Sequence, residues 1–72
     1  MSAKKLKVGT LVVNERTGRV CVAMEQVGET VYLRPVGGGR ETTVKREAVR
    51  IATRAEALAA RVAAANRRSR AA

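Results

Sequence analysis

The sequence predicts a small, mainly β chain of four to five antiparallel strands closed into a barrel, followed by one C-terminal α-helix. Two observations predict it. As far as Ile51, short Val-rich alternating segments recur between turn signals at spacings of roughly 8–12 residues, the rhythm of a small sandwich or barrel. Beyond Ile51 glycine disappears, alanine dominates, and "TRAE" offers a helix start. At 72 residues the chain is one domain with a thin core. It has no Phe or Trp and Tyr32 alone among aromatics, so Val, Leu, Ile, Met and Ala must fill the interior. The organisation expected is a basic arm over 1–6, the barrel over 7–51, a helix over 52–66 and a basic tail over 67–72.

The elements follow in order. "LKVGTLVVN" (6–14) reads as a first strand with a bend at Gly9. "NERTG" supplies turn residues Asn14 and Gly18. "RVCVAMEQ" (19–26) alternates, with Val20, Val22 and Met24 on one face and Cys21, Ala23 and Glu25 on the other. "VGE" (27–29) is a tight turn. "TVYLRPV" (30–36) points Val31 and Leu33 inward and Thr30, Tyr32 and Arg34 outward. Pro35 donates nothing to a ladder and suits a strand end. "ETTVK" (41–45) is a fourth strand, and "REAVRI" (46–51) is a turn leading into a brief fifth. In "TRAE", Thr53 is placed to accept from the Glu56 amide while the Glu56 carboxylate reaches back to the Thr53 amide, a capping box. Ala55, Leu58, Ala59, Val62 and Ala65 then fall on one helical face, with Leu58 and Val62 as its anchors. That face suits light docking on the barrel or pairing with a second helix. Asn66 is the expected helix end.

Charge is the dominant compositional fact. Fifteen Lys and Arg against six Glu give +9 and a pI near 11.4, a balance that favours polyanionic partners. "MSAKKLKVGT" lacks the apolar core of a secretion signal, no apolar run approaches the ~20 residues of a membrane span, and Cys21 is a lone cysteine. A cytoplasmic protein without a membrane role is expected. Histidine and aspartate are absent. The commonest general base and any zinc-ligand cluster go with them, so no enzyme, no metal and no cofactor are expected. Cys21, within an alternating strand, reads as a small apolar group rather than a reactive thiol.

"GGGR" (37–40) raises the question of a phosphate-cradling loop. A P-loop needs Lys-Ser/Thr after its last glycine and a helix beyond; here "ETTVK" follows, which is strand-like. A hairpin loop that uses glycine for positive φ is the better reading, with Arg34 and Arg40 at its flanks. The candidate nucleic-acid-binding residues are Arg34, Arg40, Lys45, Arg46 and Arg50 around the third and fourth strands and Arg54, Arg61, Arg67 and Arg68 on the helix and tail. Lys4, Lys5 and Lys7 form a third basic group. Helix packing beside the last strand would merge the first two groups. Tyr32 is the one stacking candidate, although a tyrosine at the edge of the core is the commoner role for it.

Residues 7–51, with "VGT-x-VV", "GRVCVAM" and a closing "VRI", resemble small SH3-like barrels of the KOW and Tudor-like kind. They are also similar to small actinobacterial proteins carrying "TGRV…VYLRP…GGGRE…VR". The resemblance implies an SH3-like fold. The function expected is a non-enzymatic nucleic-acid-binding module (DNA or RNA) of low sequence specificity. The alternative is a protein-interaction or assembly adaptor, binding another protein or a second copy of itself, built on the barrel and the Ala-rich helix.

Overall fold

A computed structural model of the chain describes residues 6–71, with the side chains of the last helix described as far as Arg67. Lys4 and Lys5 of the basic arm, and the side chain of Arg68, lie outside the described residues. The elements are β1 (Leu11–Asn14), β2 (Arg19–Val27), β3 (Thr30–Pro35), β4 (Thr42–Lys45), a single 3-10 turn (Arg46–Ala48), β5 (Val49–Ile51) and α1 (Arg54–Ala71). The five strands form one antiparallel sheet in the order β4-β3-β2-β1-β5.

The turn chemistry explains the connections. Asn14 closes the β1–β2 turn: its carbonyl accepts from the amides of Thr17 (3.1 Å) and Gly18 (2.7 Å), and its Oδ1 accepts from the Arg16 amide (3.0 Å). The β2–β3 hairpin has two central residues, Gly28 and Glu29, between the paired Val27 and Thr30. Only Gly28 has positive φ (+61°), the requirement of a II′ hairpin, whose twist matches its strands.

The outermost strands, β4 and β5, are joined by only the three residues of the 3-10 turn. A flat sheet would hold its edges four strand spacings apart, about 19 Å. The sheet therefore curls until its edges approach. Its concave side collects Val12, Cys21, Ala23, Val31, Leu33 and Val49 into one core, with Leu6 and Val44 packed against it, so every strand contributes. Val12, Val31 and Leu33 are fully buried, each stabilising the fold by about 1.5–3 kcal/mol.

A β-bulge sets what enters that core from β2. Ala23 lies opposite Leu33 but Glu25 lies opposite Tyr32, so Met24 is the extra residue. Strict alternation would turn Glu25 inward after Cys21 and Ala23. The bulge turns it out and brings in Gln26, whose Oε1 accepts from the Leu6 amide (2.8 Å) and whose Nε2 donates to the Gly28 carbonyl (3.0 Å). A buried amide is tolerated because both its ends are satisfied.

Besides the bulge, the fold departs from the sequence expectation in three places. The first strand begins at Leu11 rather than residue 6, because Val8 and Gly9 form a turn closed by the Thr10 amide (3.1 Å) and hydroxyl (2.7 Å) on the Lys7 carbonyl. The helix does not stop at Asn66 but runs to Ala71, through the expected tail. One Asn costs little, no Gly or Pro intervenes, and Ala and Arg are strong helix formers. The third departure is the docked face of α1. Ala64 is 5% exposed and Ala57 and Ala60 are half-buried, whereas the expected anchors Leu58 and Val62 are 63% and 51% exposed.

The first turn of the helix is held to β5, but its length runs past β2 and the β3–β4 loop rather than along the last strand. Gly37 explains the choice of face. A Cβ built at Gly37 would stand 2.9 Å from the Cβ of Ala64, so the loop backbone and the helix touch where neither has bulk to spare. Gly37, Gly38 and Gly39 all have positive φ (+91°, +100° and +131°), so this three-residue bend is open only to glycine.

Candidate nucleic-acid interface

Strand register decides which basic residues share a face, because directly paired residues point to the same side. Val20 and Val22 share the outward face of β2, and Val20 lines the groove beside the helix. Val22 pairs with Arg34, Tyr32 with Glu25 and Thr43, Thr30 with Lys45, and Val20 with Val13, which in turn pairs with Arg50. Tyr32, Arg34, Lys45 and Arg50 therefore all lie on the convex face of the sheet. They do not cluster. Arg34 falls opposite position 41 of the neighbouring strand, four residues short of Lys45, a separation of about 13 Å. Arg50, on β5, is separated from Arg34 on β3 by the two intervening strands β2 and β1.

Arg50 is committed elsewhere. Its Nη1 and Nη2 donate to the two carboxylate oxygens of Glu56 at 2.8 and 2.7 Å, a bidentate pair. Glu56 Oε1 also accepts from the Thr53 amide (2.9 Å), and the Glu56 amide donates to Thr53 Oγ1 (3.1 Å), completing the capping box. The Arg50 hydrogen bonds and then the Thr53 amide lower the Glu56 pKa from 4.5 to about 2. The hydrogen bond to Glu56 raises that of Arg50 in turn. This clamp ties the start of α1 to β5. Arg46 is likewise engaged: its Nη1 donates to the Val49 carbonyl (3.0 Å) across the 3-10 turn, and its amide donates to the Glu29 carbonyl (2.7 Å). Both arginines serve the fold.

Arg34, Arg40, Lys45, Arg54, Arg61 and Arg67 are exposed and form no salt bridge among the described residues. Between helix and sheet runs an open groove of about 550 Å³. Val20, Cys21, Pro35, Ala59, Ala60 and Ala63 are among its walls, and Arg19 and Arg67 both border it. Arg19, at the start of β2, is absent from the sequence-derived set because its own strand gives no cue that a helix will arrive beside it. Arg34 immediately precedes the Pro35–Val36 wall, and Arg40 follows the glycine bend.

The expected merger of basic groups thus occurs by a different route. The helix brings Arg67 to the β1–β2 turn and the β3–β4 loop, not to Lys45 and Arg46. Arg54 and Arg61 project from another flank of the helix. Tyr32 is half-buried on the convex face, between Glu25 and Thr43. Cys21 is buried; burial pushes its thiol pKa up, against a smaller opposing effect of Arg19.

Among the described residues no group of three His, Cys, Asp or Glu side chains is placed to hold a metal ion. No helix of the described residues is long and apolar enough to cross a membrane. No protein-family model, curated protein or solved structure matches the chain.

Proposed function

We propose that this chain is a non-enzymatic, cytoplasmic nucleic-acid-binding module of low sequence specificity, built on an SH3-like barrel. The strand order β4-β3-β2-β1-β5 and the single 3-10 turn before β5 support the architectural part. The observation that carries the functional part is a set of exposed cations without carboxylate partners among the described residues: Arg34, Arg40 and Lys45 on the sheet side, Arg67 with Arg19 at the groove, and Arg54 and Arg61 on the helix. Their wide spacing suits contacts to separate backbone phosphates rather than a bidentate grip on one base. A single half-buried aromatic offers no row of stacking platforms, which favours duplex over single-stranded ligands.

The test is fluorescence anisotropy of the full chain with a short labelled duplex across a salt series. Six phosphate contacts give a slope of about −5 in log K against log salt, and roughly a 10³-fold loss between 50 and 200 mM. Arg34→Ala and Arg40→Ala should each reduce the slope by about 1 and weaken all sequences alike. No binding at low salt would sink the proposal.

A further inference from the structure

The helix presents its two bulkiest apolar side chains to water. Ala57, Ala60 and Ala64 occupy the docked side, while Leu58 and Val62 stand on the opposite pole, 63% and 51% exposed. Rotation cannot hide them. The Arg50–Glu56–Thr53 clamp fixes the first turn, and the Gly37–Ala64 approach fixes the middle and admits no larger side chain.

Ala55, Leu58, Val62 and Ala65, all exposed, follow one another at spacings of three, four and three residues. That is the narrow a/d seam of a two-stranded coiled coil. Arg54 and Arg61, seven apart and exposed, line one edge of the seam at the g position; Ala59 and Asn66 line the other at e. A row of like charges beside an apolar seam selects a partner by charge.

We propose that this face docks an amphipathic α-helix of another protein whose flank carries Asp or Glu at seven-residue spacing. A second copy of this chain fits poorly: it brings another nine positive charges and, in antiparallel pairing, sets Arg54 and Arg61 against their own counterparts. The seam also has only two large apolar residues, too few to hold like-charged helices together. Arg54 and Arg61 belong to both readings, but the proposal does not rest on the nucleic-acid one, because Leu58 and Val62 are exposed apolar groups that contribute nothing to holding phosphate.

The test is an NMR titration of the isotope-labelled full chain with a synthetic helix-forming peptide bearing Leu at a and d and Glu at e and g. The same peptide with Lys at e and g, and a short duplex, serve as comparators. The expected result is preferential binding of the Glu peptide, with shifts concentrated between Arg54 and Asn66. The double change Leu58→Gln and Val62→Gln, at exposed positions and with a good helix former, should weaken it at least about tenfold. Arg54→Glu with Arg61→Glu should abolish the preference for Glu over Lys. Equal binding of both peptides, shifts confined to the sheet, indifference to the Gln changes, or no binding overturns the proposal. So does protection of Leu58 and Val62 by the duplex, or by self-association on concentrating the free chain.

Discussion

Replacing Gly37 by alanine probes the contact on which the helix orientation depends. Gly37 has φ +91°, where an L-residue costs about 1–2 kcal/mol. The added methyl also lands 2.9 Å from the Ala64 Cβ, well inside van der Waals contact. Because Ala64 is a stub on a helix clamped at its first turn, relief requires moving the helix, an overpacking cost of about 1–3 kcal/mol. The sum, roughly 2–5 kcal/mol, is a large fraction of the ~4–11 kcal/mol expected for a chain of this length. In thermal terms it is a fall in Tm on the order of 10–30 °C. Urea and thermal unfolding followed by far-UV circular dichroism measures it. The steric part is isolated by a double-mutant cycle with Ala64→Gly, which removes the struck methyl but leaves the backbone strain. The double variant should recover about 1–3 kcal/mol relative to the additive expectation. A Gly37→Ala protein as stable as the parent, or a cycle with no coupling, would refute the account of why the alanine face docks.

The Glu56 clamp has a pH signature. Its folded pKa, about 2, lies below the ordinary 4.5, so its contribution is complete above about 4.5 and is lost as pH falls toward 2. Glu56→Gln should remove that part of the acid-side decline in Tm while lowering Tm at neutral pH; superimposable Tm–pH curves for the two proteins would contradict it. Gln26→Leu strips the Leu6 amide of its acceptor, and a cost of about 1–3 kcal/mol is expected. Hydrogen exchange at Leu6 should accelerate in the same variant, and unchanged protection would show that the side chain does not hold this segment.

Where a local signal had no competitor, the sequence was a sufficient guide. "TRAE" forms the capping box with both reciprocal bonds, since four adjacent residues contain every group required. The inward Val31 and Leu33 of β3 follow from period-two alternation next to a two-residue glycine turn. The Met24 bulge was hidden because alternation in "RVCVAMEQ" looks regular until a charge would be turned into the core. Of the two uses expected for the Leu58–Val62 face, docking on the sheet does not occur, although bulk usually decides which side docks. Here the distance of closest approach decided it, and that depends on Gly37, more than twenty residues upstream of the helix residue it touches. The candidate interface divides the same way. Arg34, Arg40 and Lys45 are exposed as strand and loop positions suggest. Arg50 and Arg46 were drawn into fold-forming bonds by groups six and three residues away, and Arg19 gained its place only through the docked helix.

The three residues of β5 have a temporal consequence. The β1–β2, β2–β3 and β3–β4 ladders each join neighbouring strands, and such hairpins form within microseconds. The β1–β5 ladder is different: Val13 meets Arg50 only after everything between them has been made and folded back. Until then β1, whose Val12 and Val13 are both buried in the finished protein, has an open edge. A nascent chain released or stalled before Ile51 therefore displays a four-residue template for intermolecular pairing. The interval of greatest exposure to aggregation ends with the arrival of the shortest strand in the molecule, and the Arg50–Glu56 clamp helps to hold it shut.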